Sequence, residues 1–372
     1  MAETTLATAS EKQKWINTYF SEYVRLSGYK PYMGKSNDNI IIIKYELQEE
    51  AGKTINIPLI TRLKGSGVTG SATLDGAEEE LGNYNCDISI DWRRNGVRVP
   101  KSSSFKSEID LLNAARSALK VWEAEKMRDD ITKAMLQVVT TGSTVVNWAD
   151  ATAGNKNAWV VANSDRVLFG KLKSNYSATF ASALGNIDTT DDRCTSASMS
   201  LAKRIAKNAD PHIRPYMTED GREFYVAFHG SRTFRDIKGD ATIVAANKDA
   251  RSREGNGFDK NPLFQDGDII YDGIVHREVP EIDAIAQTGN GGLGGFDGQG
   301  NGTCDVRPVF LCGAQAVGVA WGQEPTPKTD NVKDYGFRPG VAIEELLGVK
   351  KLCFNGVQQG IVSCFFAAAS DS

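Results

Sequence analysis

The sequence predicts an α+β fold in which a long hairpin is followed by one long helix and then by a mixed domain. Apolar and polar residues alternate at the start of Tyr84–Val99, which is typical of a half-exposed strand. Apolar residues recur at helical spacing through Ser107–Val139, and no proline or glycine interrupts them. Further strand candidates follow in the second half of the chain, and together these observations favour the α+β class.

The N-terminal part is predicted to combine one helix with two strands. Ser10–Ser27 is predicted as a helix, because Ser10 can cap it and aromatic residues recur at helical spacing. Asn39–Leu47 and Thr54–Leu63 are predicted as strands, the former because it is rich in β-branched residues. Thr54–Pro100 is therefore expected to form a long hairpin-like excursion with a polar, flexible tip.

The long helix is the clearest element of the sequence. Leu119 and Trp122 lie on its apolar stripe, and Trp122 is expected to be buried against a sheet. Ser107 and Asp110 approximate a capping box at its start. At 1.5 Å per residue, a helix over Ser107–Val139 would be about 50 Å long. A helix of that length is expected to span a subunit or to connect two subunits.

The rest of the chain is predicted to contain loops, one helix and several strands. Thr140–Asp192 is rich in turn residues and is predicted to be loop-rich. Ser196–Asn208 is predicted as a helix that ends before the Asp210-Pro211 step. The glycine-rich segment Gly289–Gly302 is predicted to be a mobile surface loop. The strand candidates are Glu223–His229, Asp268–Val279, Val306–Cys312, Gln315–Trp321, Val349–Asn355 and Gly360–Ala369, the last two joined by GVQQ.

Composition and charge exclude several classes of protein. The 372 residues are 41% hydrophobic and 24% charged, which is ordinary for a folded chain and not for a disordered or fibrous one. The net charge is −4, and the basic residues are scattered among acids, so no nucleic-acid-binding patch is predicted. The first residues lack the pattern of a secretory signal, and the longest apolar run near the end is too short for a membrane span. No membrane association is expected.

Three glycines raise the possibility of a nucleotide site. Gly65, Gly67 and Gly70 match G-x-G-x-x-G, the pattern that binds a dinucleotide pyrophosphate. Such a site needs a helix that opens at the last glycine, since the helix N-terminus binds the phosphate. The next residues, SATLDGAEEE, contain another glycine that would break a helix and three glutamates that would repel phosphate. The context argues against this interpretation, and a dinucleotide-binding enzyme stays an alternative of a different class.

No other pattern predicts catalysis or a bound metal. The P-loop, zinc-protease and nucleophile-elbow motifs do not occur in the sequence. His212, His229 and His276 lie far apart in the sequence, and each is interpreted as an ordinary structural or exposed residue. The six cysteines form no C-x-x-C pair and are predicted to be reduced, partly buried thiols. No catalytic residue, cofactor or metal is predicted.

The order of elements and several sequence blocks resemble the major capsid proteins of tailed phages. LKGSGVTGSATLDGAEEEL, residues 63–81, is followed by YNCDISIDWRRNGVRV, and the two are similar to the K-G-x-G-V-T-G…L-x-G-x-E-E hallmark of one phage capsid family. The blocks SDRVLFG, IRPYMTEDGREFYVAFHGSRTFRDI, NPLFQDGDIIYDGIVHRE and LCGAQAVGVAWGQ resemble that family too. The resemblance extends from about Pro58 to Trp321 and implies the Hong Kong 97-like capsid fold.

The resemblance implies a division of the chain and a site of contact between subunits. The parts are an N-arm at residues 1–48, an extended E-loop at 49–105, a peripheral domain at 106–195 and 332–372 with a spine helix at 107–139, and an axial domain with a central mixed sheet at 196–331. Glycines would let the E-loop tip bend and lie close to a neighbouring subunit. The tip residues expected to contact that subunit are Lys64, Gly65, Gly67, Gly70, Glu78, Glu79 and Glu80.

The resemblance also implies a function and partners. The chain is expected to be a structural protein that assembles as pentamers and hexamers into an icosahedral shell around double-stranded DNA, without sequence-specific DNA binding. It is expected to assemble in the host cytoplasm and to reside in the virion. Because the predicted spine helix begins at Ser107, a fused scaffolding segment has no room, and a separate scaffolding protein is expected beside portal and decoration proteins. Some relatives crosslink an E-loop lysine, but no partner for Lys64 is identified. An encapsulin-like compartment shell is the structural alternative.

Overall fold

The computed structural model describes residues 28–46, 52–71, 73–106, 110–189, 191–217, 221–253, 264–265, 268–289 and 292–369. The helix predicted over Ser10–Ser27 lies outside the described residues. The helices are α1 (Lys101–Lys106), α2 (Leu111–Leu136), α3 (Ala153–Ala162), α4 (Phe180–Gly185), α5 (Ser196–Asn208), α6 (Ser231–Lys238), α7 (Ala241–Arg253) and α8 (Glu281–Ala286).

The strands range from two to fourteen residues in length. They are β1 (Met33–Gly34), β2 (Ile41–Lys44), β3 (Thr54–Ile60), β4 (Asn83–Ser89), β5 (Asp91–Arg98), β6 (Val138–Val139), β7 (Val145–Val146), β8 (Val167–Phe169), β9 (Tyr216–Met217), β10 (Glu223–His229), β11 (Phe264–Gln265), β12 (Asp268–Tyr271), β13 (Ile274–Glu278), β14 (Val306–Cys312), β15 (Val317–Asp330), β16 (Gly340–Lys351), β17 (Cys353–Phe354), β18 (Val357–Gln358) and β19 (Ile361–Ala367).

The chain divides into two compact units. Among the described residues, the smaller unit comprises 92–106, 110–127 and 323–346, and the larger one comprises the others. Helix α2 and strands β15 and β16 each contribute residues to both units.

A mixed sheet forms the centre of the larger unit. Its strands lie in the order β11-β12-β13-β10-β14-β19-β8, with β9 paired to β10 off this path. Strand β10 runs parallel to β13 and antiparallel to β14, and β19 runs antiparallel to β14 and parallel to β8. Together with the surrounding helices, this sheet confirms the predicted α+β class.

The two central strands β14 and β19 are buried along their whole length. Val362, Cys364 and Phe366 of β19 belong to one core cluster with Met199 and Ala202 of α5. The alternate residues of β19 point to the opposite face, because side chains alternate along a strand. Both faces are therefore covered, which explains why β19 is an almost continuous apolar run in the sequence.

The opposite face of β19 is covered by aromatic side chains, one of which comes from the glycine-rich segment. Phe296 is fully buried and stacks on Trp148 with 4.9 Å between ring centroids, while Phe365 of β19 lies 5.9 Å away. The next residue, Asp297, forms an ion pair of 2.7 Å with buried Arg307. For the described residues 292–302, the prediction of a mobile surface loop is thus wrong, because an aromatic ring and a carboxylate fix this part to the core.

The smaller unit has its own apolar cluster within the described residues. Ala115 and Leu119 of α2 are buried with Val341 and Ile343 of β16, and Trp122 packs against them. Buried and half-buried residues alternate along this part of β16, as expected for a strand with one covered face.

Trp122 is half-buried, so the prediction that it is buried against a sheet is only partly correct. The guanidinium of Arg93 lies 5.9 Å from the Trp122 ring centroid, and Arg93 forms an ion pair with Glu345. The Glu345 carboxylate is almost completely buried. One side of the tryptophan therefore borders a charged cluster, and a cation over an indole ring is a favourable contact.

The long helix is shorter than the pattern predicted. It covers Leu111–Leu136, about 39 Å, because Val138–Val139 pairs with Val145–Val146 as a short antiparallel ladder. Valine favours strands, since its branched side chain is restricted in a helix. At the other end the Asp110 carboxylate accepts hydrogen bonds from the amides of the first turn, while Ser107 lies outside the described residues.

The remaining predictions succeeded where a segment is one uninterrupted element. The bounds of α5, β10 and β14 match the predicted ones. Asp268–Val279 was predicted as one strand but forms two, joined by a tight turn at Asp272 and Gly273, both with positive φ. Tyr84–Val99 likewise forms two strands, β4 and β5. The C-terminal strand β19 pairs with β14 and β8, and a separate β17–β18 hairpin precedes it.

Phe296→Ala should lower the free energy of unfolding by about 3–5 kcal/mol, the usual cost of truncating a fully buried aromatic ring. Leu293→Ala is the matched control, because Leu293 lies in the same segment but is only half-buried, and its loss should be clearly smaller. Urea denaturation of the purified protein measures both. Equal losses for the two variants would contradict the anchoring role of Phe296.

Candidate functional site

The predicted contact site lies on a two-stranded hairpin. Strands β3 and β4 pair antiparallel from Thr54↔Ser89 to Ile60↔Asn83. The loop that joins them is closed at its base by a hydrogen bond from the amide of Thr61 to the carbonyl of Gly82. This loop, residues 61–82, is called the E-loop tip below. It contains all seven residues predicted to contact a neighbouring subunit.

The backbone conformation of the tip explains why glycine occupies several of its positions. Gly67, Gly70 and Gly76 have φ values of +68°, +71° and +85°, a region that side chains other than glycine rarely adopt. A side chain added at any of these three would meet open space. At Gly65 an added Cβ would lie 2.6 Å from an oxygen of Glu79, the end of a flexible exposed side chain that could shift. The backbone of the loop thus explains Gly67 and Gly70, the second and third glycines of the G-x-G-x-x-G match.

The dinucleotide-binding alternative has no support in the geometry. No helix opens at Gly70 in the described part of the tip, and the flanking strands form an antiparallel hairpin instead of a βαβ unit. The amides of Lys64 and Gly65 both donate to the Glu79 carboxylate, at 2.5 Å each. A carboxylate of the chain itself thus occupies the backbone donors next to the first glycine of the motif.

Two of the three acidic residues of the run accept hydrogen bonds from backbone amides within the tip. The two amide hydrogen bonds from Lys64 and Gly65 lower the pKa of Glu79. Glu78 accepts a hydrogen bond of 2.7 Å from the amide of Gly76. The third residue of the run, Glu80, has an exposed side chain. Glu79 therefore joins the outgoing and returning limbs of the tip, a role that sequence reasoning did not predict.

Lys64 makes a contact outside the tip. Its Nζ lies 2.5 Å from the Asp210 carboxylate, and Arg62 lies 3.4 Å from the same group. The hydrogen bond from Lys64, together with Arg62, holds the pKa of Asp210 below its usual value. All three side chains are more than half exposed. Exposed ion pairs are weak, so this contact orients the tip without fixing it strongly.

The E-loop exposes several large apolar side chains. Ile60, Leu63, Leu74 and Leu81 are between 54% and 66% exposed. A single exposed leucine is common, but four large aliphatic residues together on one short hairpin end form an unusual exposed apolar group. The signal was present in the sequence, since these residues interrupt an otherwise polar, glycine-rich stretch.

His229, His276 and the six cysteines are buried in the core. His229 and His276 lie on neighbouring strands, with 2.9 Å between Nε2 of His229 and Nδ1 of His276. Burial lowers the pKa of His276 to about 3 and that of His229 well below its usual value, so both are neutral. Within the described residues, no three His, Cys, Asp or Glu side chains could hold a metal ion together. All six cysteines are free and buried.

Membrane-spanning helices were searched for among the described residues as well. None of the helices there is both long enough and apolar enough to cross a bilayer.

Comparisons with known proteins identify the family. A family model described as phage capsid protein matches residues 3–364. The major capsid protein of Pseudomonas phage KPP25 is 24% identical over 374 residues, covering 97% of this chain and 96% of that protein. A chain of the cyanophage Pam1 capsid asymmetric unit is 45% identical, with a TM-score of 0.91 and full coverage of both chains. A chain of the Ralstonia phage GP4 capsid is 21% identical, with a TM-score of 0.73 and full coverage.

The chain belongs to the phage capsid protein family. The structural likeness to these capsid proteins also agrees with the predicted Hong Kong 97-like fold. The prediction of a major capsid protein of tailed phages, made from the sequence blocks above, is confirmed.

Glu79→Ala should speed hydrogen exchange at the amides of Lys64 and Gly65 several-fold, because both lose their acceptor. Glu80→Ala removes an adjacent carboxylate and should leave these two amides unchanged. In the unaltered protein the protection should persist at neutral pH and disappear as the pH falls below the lowered pKa of Glu79. Exchange detected by NMR or mass spectrometry tests this. Equal effects of the two variants would contradict the assigned role of Glu79.

Proposed function

We propose that this capsid protein assembles as pentamers and hexamers into an icosahedral shell that encloses packaged double-stranded DNA, and that the E-loop tip is a contact surface between neighbouring subunits. The observation that carries the second part is the group of exposed aliphatic residues at the end of a two-stranded hairpin. A hairpin of two strands is only marginally stable by itself in water. A neighbouring subunit supplies the missing cover.

The energetics favour this role for the tip. Burying one leucine or isoleucine side chain contributes about 1.5–3 kcal/mol relative to leaving it exposed. Ile60, Leu63, Leu74 and Leu81 are each more than half exposed in the single chain, so most of that contribution is still available for association. Repeated over many subunits in a closed shell, modest contacts add up through avidity.

The domain assignment and the partners are part of the same proposal. The N-arm is residues 1–48, the E-loop 49–105, the peripheral domain 106–195 with 332–372, and the axial domain 196–331. The shell forms in the host cytoplasm with a separate scaffolding protein, a portal protein and a decoration protein, and it then belongs to the virion. The net charge of −4 suits a container that must not bind its DNA tightly. The chain has no enzymatic role in this proposal.

Gly67→Val should give a folded, soluble subunit that assembles poorly, because valine does not tolerate a φ of +68° and its side chain blocks close approach to a neighbour. Gly142→Val is the matched control. Gly142 has a φ of +67° and equally open surroundings, but it lies outside the E-loop. Sedimentation of each variant co-expressed with the other head proteins of its phage measures assembly. Normal shells from Gly67→Val, or saturable NAD or ATP binding that this variant loses, would contradict the contact role.

Leu81→Gln should reduce assembly and leave the stability of the subunit nearly unchanged, since the side chain is exposed in the single chain. Leu172→Gln is the control, because Leu172 is equally exposed, at 54%, but lies outside the E-loop. Electron microscopy counts shells, and thermal unfolding reports subunit stability. If both variants assemble like the unaltered protein, the apolar tip residues do not contact a neighbour.

A further inference from the structure

Two cysteines that are distant in the sequence lie together at the base of the E-loop hairpin. Strand β4 runs alongside residues 348–353: Lys350 Nζ donates to the carbonyl of Asp87 at 2.6 Å, and Gly348 lies directly against the backbone of Ser89. This alignment brings Cys86 of β4 close to Cys353 of β17, since β4 and β17 pack against each other. Both belong to the larger unit, both are fully buried, and both are free.

The surroundings of the pair favour a thiolate on one sulfur. The neighbouring Cys353 thiol lowers the pKa of Cys86, and the nearby Lys350 ammonium acts in the same direction. The pKa of Cys353 is raised by the neighbouring Cys86 and by burial. The Cys353 thiol donates a hydrogen bond of 3.2 Å to the carbonyl of Ser143. A thiolate in contact with a second thiol is the arrangement from which disulfides form.

We propose that Cys86 and Cys353 are an oxidation site that closes to a disulfide, joining strand β4 of the E-loop hairpin covalently to the β17–β18 hairpin. The packing of β4 against residues 348–353, which places two buried free cysteines side by side, carries this inference. It goes beyond the proposed shell function and does not depend on it.

The oxidant is a small-molecule disulfide of the glutathione type. The Cys86 thiolate attacks one sulfur of that disulfide, forms a mixed disulfide and releases one small thiolate. Cys353 then loses its proton and attacks Cys86 Sγ, which closes the protein disulfide and releases the second small thiolate. Two protein thiols are oxidised, one small disulfide is reduced to two thiols, and the two protein protons end on the small thiolates.

Access to the pair requires local opening. Cys86 is buried, but Tyr84 and Asn85 beside it are exposed, and within the described part of the chain β4 pairs only with β3. Such an edge opens more easily than the centre of a large sheet. Oxidation should therefore be slow in a reducing cytosol, where small thiols keep the pair reduced, and should proceed in an oxidising medium. The crosslink would fix the base of the hairpin and leave the E-loop tip free.

The purified protein is incubated with oxidised glutathione, quenched with acid and denatured, and its thiols are counted. Two of the six thiols should be lost, with a mass decrease of about 2 Da and no bound glutathione. Peptide mapping should find residue 86 linked to residue 353. Retention of all six thiols, a stable glutathione adduct, or a different linked pair would each overturn the proposal.

Variants separate this pair from the other cysteines. Cys86→Ser and Cys353→Ser should each abolish the disulfide, whereas Cys304→Ser should still lose two thiols, because Cys304 lies elsewhere, with its sulfur 3.6 Å from the carbonyl of Ile187. If a serine variant fails to fold, the peptide map of the unaltered protein still decides. The test uses thiol chemistry alone, so its outcome is independent of whether the protein forms shells.

Discussion

The constraint on which the structure depends is that a two-stranded hairpin has no interior of its own. Strands β14 and β19 are buried along their whole length because side chains cover both faces of their sheet. Among the described strands, β3 and β4 pair only with each other, and most of their residues are exposed or half-buried. The subunit can therefore fold around its sheet, while the end of the hairpin keeps its large aliphatic side chains exposed.

The tip of that hairpin shows how one sequence motif serves two purposes in different contexts. In a nucleotide site, glycines free the backbone amides for phosphate. Here the amides of Lys64 and Gly65 bind Glu79, and Gly67 and Gly70 supply positive φ. The sequence showed that no helix could follow the motif, which was enough to argue against the nucleotide site. It could not show Glu79 as the bound anion, because that contact spans fourteen residues.

Helices and strands were predicted correctly where one local sequence pattern covers the whole element. The bounds of helix α5 were predicted correctly from its stop before the Asp210-Pro211 step, and the structure adds that Thr195 caps its start. The long helix was predicted to extend to Val139, but Val138 and Val139 pair with a short strand that the hydrophobic periodicity of the sequence does not indicate. The turn at Asp272 and Gly273 carried a visible Asp-Gly signal that was overlooked. Phe296 could not be placed, because its partners Trp148 and Phe365 are distant in the sequence.

The residues at the end of the hairpin fall into three kinds. The glycines and Glu79 define the shape of the tip, since they set its backbone and join its limbs. Lys64 is engaged by the exposed carboxylate of Asp210, a weak contact that competing charges or salt can replace. Only the aliphatic side chains expose large apolar surface that an interface could still bury. An interface formed by this tip is therefore driven by apolar burial, while the glycines and Glu79 determine which surface the tip fits.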